Sequence, residues 1–343
     1  MEAKQLRVCH FTASPGLGRG EAYVDLPNAL SQIEGLCVGL MIPHDALFRD
    51  RIAPDVEVIE YKGGRSRRNP LFLLEICRKL RAWQPHIVHT HFAKATTVYR
   101  TISRWVGVPW VATKRNPRPG PVFEKVPRVI AVSHGVADSL RRSDVKIIYN
   151  GIIADAPDPI ARQQPATVRC LAIGRLDPIK GFDRLIRALA PVRTPWNLRI
   201  VGEGPQRGEL EALIRELGLG ERVQLLGFRS DIPRLLQDCD VFIQSSHSEG
   251  FGLALLEALH YAPLVISTRV GIAAEFFPEW LIWNPDIEGS LESMLLNYAA
   301  NSKRYTDWIG NQLARFNLRS TVEEHVSFYR TMIEGAQPRE VHE

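Results

Sequence analysis

Short apolar runs alternate along this chain with longer stretches in which apolar residues recur every three or four positions. The runs Leu6 to Phe11, Leu36 to Ile42, Val56 to Tyr61, residues 85–92 (PHIVHTHF), Trp110 to Thr113, Arg128 to Val132 and Val145 to Tyr149 read as strands. Each is a brief apolar segment closed off by turn-forming or polar residues, the signature of a strand rather than a helix. Between them the spacing predicts helices over Ala22 to Ser31, Leu71 to Trp83 and Ala93 to Val106. Leu74, Cys77 and Leu80 recur at helical spacing in the second, and Pro70 suits the first position of that helix. Ser133 then caps a helix predicted over SHGVADSLRR.

Residues 150–167 lose this alternation and, rich in Pro, Ala and Asp, read as a linker. A second series begins at Val168, with strands at VRCLAIG, Leu198 to Val201, Val223 to Leu226, Val241 to Gln244 and Leu264 to Ser267. Helices are predicted over Phe182 to Leu189, Arg207 to Leu217 and Ile232 to Gln237. Asn301 to Met332 carries Trp308, Leu313, Phe316, Val322, Val326 and Tyr329 in an amphipathic helical pattern. Strands alternating with helices predict an α/β protein of parallel, doubly wound sheets. A chain of 343 residues suits two such domains.

Composition changes this picture little: 45% hydrophobic and 24% charged residues belong to a globular protein. No run of about 18 uncharged apolar residues occurs, and a short polar start leads straight into a strand, so neither a membrane span nor a signal peptide is expected and the expected location is cytoplasmic. Five cysteines stand singly without a C-x-x-C pair, which fits reduced core thiols. Charge is more informative. Residues 1–160 hold 23 Lys and Arg against 15 Asp and Glu, and the remainder 20 against 23. The N-terminal half is therefore expected to meet an anionic partner, a phosphorylated or lipid-linked acceptor or the inner face of a membrane. Nucleic acid is not expected, because no helix-turn-helix, zinc-finger or RNP-like motif is found.

Candidate chemistry concentrates in Ser245 to Glu257 (SSHSEGFGLALLE), where a strand feeds a loop of small residues that opens a helix. Free N–H groups at such a helix start face anions, phosphate above all. Glu249 lies on the loop and Glu257 about two turns into the helix, two acceptors for the hydroxyls of one phosphate-bearing ligand, which suggests a sugar nucleotide. The glycine loop SPGLGRGE (residues 14–21) is compatible with a dinucleotide fingerprint, but the strand at 36–42 ends in Pro43 and His44 where an acidic ribose partner is required. Hydride transfer is a poor fit. His89 and His91 share one face of their strand. With no third ligand nearby in sequence, a metal site is not expected, and His91, nearer the strand end where ligands gather, is the site candidate. Asp238-Cys239-Asp240 resembles a metal-binding D-x-D superficially, but it precedes a strand and reads as structural.

GRLDPIKGFDRLI, VGEGPQRGELEALIRELGLGERVQLLGF and SSHSEGFGLALLEAL, in this order and spacing, resemble the donor half of retaining glycosyltransferases of family 4, with weaker matches in GRGE, PHIVHTH, AVSHGVADSL and IIYNGI. The resemblance implies the GT-B fold: two Rossmann-like domains facing a cleft, residues 1–160 completed by a C-terminal helix at about 318–335, and residues 165–317 binding the nucleotide sugar. It implies that Arg175 and Lys180 bind the donor diphosphate and that Glu257 holds the ribose hydroxyls. Glu249 stands beside the transferred sugar, while Phe251, Gly252 and Leu253 meet sugar and phosphate at the loop and helix start. His91 lies near the reacting centre, and Gly18 and Gly20 belong to a loop closing over the phosphates. It further implies a metal-independent reaction without cofactor, in which the acceptor attacks on the leaving-group side. The chain departs from the family pattern at HYAPLV after Glu257 and at Ile272 after Gly271. The expected activity is transfer of a hexose-type sugar from a UDP-sugar to a cell-envelope glycan such as lipopolysaccharide core. A sugar-nucleotide epimerase of the same fold and a non-catalytic sugar-nucleotide-binding protein are the alternatives.

Overall fold

The computed structural model describes residues 5–14, 16, 22–63, 66–153 and 160–334. The chain divides into two compact units, residues 1–151 with 317–343, and residues 152–316. In the first unit β1 (Leu6–Thr12), β2 (Leu36–Pro43), β3 (Glu57–Tyr61), β4 (Ile87–His91), β5 (Trp110–Lys114), β6 (Val129–Ala131) and β7 (Val145–Ile147) form one sheet in the order β3-β2-β1-β4-β5-β6-β7. In the second, β8 (Val168–Ile173), β9 (Trp196–Val201), β10 (Val223–Gly227), β11 (Val241–Gln244) and β12 (Val265–Ser267) lie in the order β10-β9-β8-β11-β12. The named strands pair in parallel throughout. Each sheet grows outward from its first strand and then reverses, creating a switch point between β1 and β4 in one unit and between β8 and β11 in the other.

The alternation of side chains along each strand sorts the first unit's core into two layers. Cys9, Met41, Val88 and Ala112 face one side with the helices Pro70–Trp83 and Phe92–Val106. Val8, Leu40, Ile87 and Val111 face the other, covered by the helices Ala22–Leu30 and Leu318–Glu334. The last helix, though remote in sequence, buries Leu318, Val322, Val326 and Tyr329, spaced four, four and three residues apart. No described helix is long and apolar enough to cross a membrane.

Two expected helices are shorter than predicted. Ser133 caps as expected, its hydroxyl accepting from the Val136 N–H at 3.2 Å, but the helix ends at Ala137. The following segment is tied down elsewhere by Arg142, which donates to the carbonyls of Phe123 and Val126 and pairs with Asp144. The pattern from Asn301 to Met332 is divided among the helix Tyr298–Ile309, a 3-10 turn Leu313–Phe316 and the helix Leu318–Glu334. Gly310 follows the first, and Asn317, whose side chain accepts from Arg319 N–H at 2.8 Å, precedes the last.

Candidate functional site

In the second unit the expected residues converge at the β8/β11 switch point. After β8 the chain makes a 3-10 turn, Pro178–Lys180, capped by the Asp177 carboxylate on the Ile179 N–H. Gly181 then adopts φ +62°, and a Cβ there would lie 2.4 Å from the Ser245 carbonyl oxygen. Only glycine lets this turn press against the loop that follows β11. The two segments are stitched directly: His247 N–H donates to the Ile179 carbonyl (2.8 Å) and the Ser245 hydroxyl to the Lys180 carbonyl (2.8 Å).

That stitching brings Lys180 Nζ to 2.5 Å from Glu249 Oε1, which also accepts the Ser246 hydroxyl at 2.7 Å. Both charged groups are largely sheltered, with side-chain exposures of 24% and 13%. Lysine has three donors, so Glu249 engages one and leaves others for a ligand. Arg175 is more open and approaches Asp177 at 3.9 Å. Gly252 holds φ +96° at the start of the helix Leu253–Tyr261, the bend that turns the loop into the helix. Leu253 and Glu257, four residues apart and both half-buried, share one face of that helix. Phe251 is buried, its ring edge-on to Phe316 at 6.3 Å, so its aromatic ring packs into the unit's interior. Gly18 and Gly20 lie outside the described residues.

In this unit a further residue, not among those expected from the sequence, holds the loop. Arg184, in the first turn of the helix Phe182–Leu189, donates to the Ser245 carbonyl from Nε (2.7 Å) and Nη2 (2.5 Å) and to the Ser246 carbonyl from Nη2 (2.6 Å). It fastens the loop carrying Glu249 from behind. Asp240, from the D-x-D look-alike, is buried and accepts Arg169 Nε (2.9 Å), Nη2 (2.7 Å) and main-chain N–H (2.8 Å). Its charge is spent on structure.

In the first unit His91 ends β4 at the other switch point and is fully buried. No third imidazole was expected nearby, yet β1 supplies His10, opposite His89 in register, and the helix Leu318–Glu334 supplies His325. Arg115 Nη2 stands 3.5 Å from His91 Nδ1, and His91 Nε2 lies 2.9 Å from His10 Nδ1. Arginine only donates, so His91 Nδ1 accepts and its proton sits on Nε2, facing His10. His89 bonds Tyr329 and Thr113, each at 2.6 Å. The nitrogens of His10, His89 and His91 come within 4.8 Å of one another, but the rings are stacked, at 12° for His10 with His91 and 29° for His89 with His91. His91 Nε2 and His10 Nδ1 meet edge to edge in a hydrogen bond, and His89 has both nitrogens engaged by Tyr329 and Thr113, so these nitrogens bond to one another and to neighbouring hydroxyls. Burial pushes all four imidazoles down, His10 to about 3 with help from His325 and Arg115 nearby, and His325 to about 4. The stack is neutral at pH 7.

Phe92, directly after His91, takes φ +66°, a strained conformation for a bulky residue, at the turn from β4 into its helix. It sets the side chain that follows the candidate histidine against Tyr23, ring centroids 5.1 Å apart.

Residues 163–286 match the family model described as Glycosyl transferases group 1, and residues 40–156 match Glycosyltransferase Family 4. Among curated relatives, the chain is 43% identical over 98 residues to the N-acetylgalactosamine-N,N'-diacetylbacillosaminyl-diphospho-undecaprenol 4-alpha-N-acetylgalactosaminyltransferase of Campylobacter jejuni, covering 29% of this chain and 27% of that protein. It is 31% identical over 155 residues to the lipopolysaccharide core biosynthesis glycosyltransferase LpsD of Rhizobium meliloti, covering 43% and 45%. The matched segment thus spans less than half of either relative. The structure of Anabaena HepE in complex with UDP and glucose superposes with a TM-score of 0.76 at 20% identity, over 95% of this chain and all of that one. This likeness is one of fold.

Proposed function

Since this chain belongs to the glycosyltransferases, its two halves matching the family 4 and group 1 models, we propose that it moves a hexose-type sugar from a UDP-sugar to a lipid-linked or otherwise anionic cell-envelope glycan, with lipopolysaccharide core as the acceptor class. The observation that carries the reading is the contact between Lys180 and Glu249, brought together from the ends of β8 and β11 beside a helix start. The named function of LpsD supports the acceptor class, and the UDP and glucose of the HepE complex support the donor.

In this reading Arg175 and Lys180 meet the donor diphosphate. As the glycosidic bond breaks, negative charge grows on the leaving diphosphate, and the cations stabilise it where it develops. The N-terminus of the helix Leu253–Tyr261 adds its dipole to the same charge. Glu249, already oriented by Lys180 and Ser246, accepts a sugar hydroxyl, and Glu257 accepts the ribose hydroxyls. Anchoring both ends of the donor fixes its anomeric carbon for attack from the leaving-group side, the retaining route, so that orientation supplies much of the acceleration. The protein's own cations take the place of a divalent metal.

The test is a thermal-shift screen with UDP-, GDP- and ADP-sugars, followed by turnover of two variants. UDP-sugars raise the melting temperature selectively, because a ligand held only by the folded state stabilises it. Lys180→Ala and Glu249→Gln each lower donor turnover by roughly a hundredfold or more. Absence of any sugar-nucleotide shift, or near-normal turnover by both variants, sinks the reading.

A further inference from the structure

Residues 62–106 hold ten of the chain's 43 Lys and Arg and a single acidic residue, Glu75. This stretch alone carries a formal +9, more than the +5 of the entire chain. It consists largely of the helices Pro70–Trp83 and Phe92–Val106 and the turn before the first. Both helices cover the same side of the seven-stranded sheet, burying Phe72, Ile76 and Leu80 from one and Val98, Tyr99 and Ile102 from the other in one core. Their opposite faces point away from the unit.

The outward stripe of the first helix is Leu71, Leu74, Arg78 and Arg81, at the three-four-three spacing of a single helical face. Leu71 is 68% exposed and Leu74 53%. On the second helix Arg100, Arg104 and Trp105 are exposed, the tryptophan by 58%. Arg81 Nε donates to the Trp105 carbonyl at 2.9 Å, which joins the two stripes into a continuous surface. Glu75 shares this side of the first helix, lining one groove with Leu71, Leu74 and Arg78, and its carboxylate accepts the Lys62 main-chain N–H at 3.1 Å; a single acid among ten basic residues leaves the surface strongly cationic.

A helix face meant only for water carries polar residues where Leu71 and Leu74 stand. A partner that satisfies this surface must be anionic and apolar together. We propose that the outer face of these two helices lies on an anionic lipid leaflet, with arginines among the headgroups and Leu71, Leu74 and Trp105 sunk to the acyl boundary. Long arginine stems let the guanidinium reach the headgroup plane while the leucines sit deeper, and tryptophan favours that same depth. Polybasic charge and inserted apolar side chains act together in this mode, each too weak alone for firm attachment. A nucleic acid or an acidic protein segment would use the arginines and leave the two leucines unexplained. The inference stands independently of the transfer reaction, since none of these residues belongs to the candidate donor site.

Vesicle co-sedimentation of the full chain tests it, with phosphatidylglycerol-rich vesicles set against pure phosphatidylcholine. The chain pellets with the anionic vesicles, and the pelleted fraction falls as salt rises. Leu71→Ser with Leu74→Ser weakens vesicle affinity about tenfold or more while the melting temperature holds, because both side chains are already exposed in the free protein. Arg78→Glu with Arg104→Glu abolishes the preference for anionic lipid. Failure of the parent chain to sediment with phosphatidylglycerol, or affinity of the leucine variant within about twofold of the parent, overturns the proposal. So does a concentration-dependent dimer in the absence of lipid that the leucine variant dissolves, which would give the face to a second copy of the chain.

Discussion

Arg184 touches no expected ligand, yet its guanidinium holds the carbonyls of Ser245 and Ser246 and so sets where Glu249 stands. A planar fork can satisfy two adjacent carbonyls at once, whereas an ammonium presents one point of charge. Arg184→Lys is therefore expected to raise the KM for the sugar nucleotide roughly tenfold, the cost of about one charge-assisted hydrogen bond, with a smaller fall in kcat. Steady-state kinetics over a donor series measures that split, and unchanged KM would remove Arg184 from the positioning role. Lys180 and Glu249 were legible in the sequence because their motifs keep a characteristic spacing. Arg184 was not, since an arginine on the polar side of FDRLIRAL looks like any solvated helix residue. His10 was equally hidden. Nothing in LRVCHF distinguishes a packed imidazole from one that meets His91, because the contact depends on β1 and β4 becoming neighbours.

At the scale of elements, the join between the Pro178–Lys180 turn and the helix Phe182–Leu189 controls how Lys180 meets Glu249. Gly181→Ala places a Cβ against the Ser245 carbonyl in a left-handed conformation. We expect it to cost about 1–3 kcal/mol in urea unfolding and to weaken nucleotide binding as well, because relief of the clash pulls Lys180 from Glu249. An unfolding midpoint equal to the parent's would contradict the tight contact. Strand positions were read to within one or two residues, since buried parallel strands leave uninterrupted apolar runs. Helix ends were read less well. The helix after Ser133 stops at Ala137 because Arg142 finds carbonyl partners in a distant loop, and no local pattern reveals that competition.

At the scale of the molecule, each unit is a doubly wound sheet with its candidate residues at a switch point. The first unit is closed by the helix Leu318–Glu334, which brings His325 and Tyr329 onto the stack of His10, His89 and His91. That stack gives the unit a pH dependence whose sign follows from linkage. The native imidazoles resist protonation while those of the unfolded chain take up protons near pH 6.5, so the unfolded state binds more protons between the two values. Their stabilising contribution is complete above about pH 6.5 and shrinks as pH falls, down to the folded values of about 3 for His10 and about 4 for His325. Each histidine still neutral in the fold removes about 1.4 kcal/mol per pH unit over that range. Urea titrations at pH 5 and pH 7 should differ by several kcal/mol, and equal stabilities would mean that the cluster opens to water or is charged in the native state.

The sequence by itself determined the class of fold, the strands and most helices, and the family, because hydrophobic periodicity and motif spacing are local properties written along the chain. It also disclosed a basic N-terminal half, though not that the charge collects on the outer side of two neighbouring helices. Only the tertiary structure decided that Lys180 meets Glu249, that Arg184 braces their loop, that four histidines share one buried stack, and that Leu71 and Leu74 stay exposed. Each of these depends on which strands and helices become neighbours. That choice is made by packing between segments tens to hundreds of residues apart, and no single stretch of sequence records it.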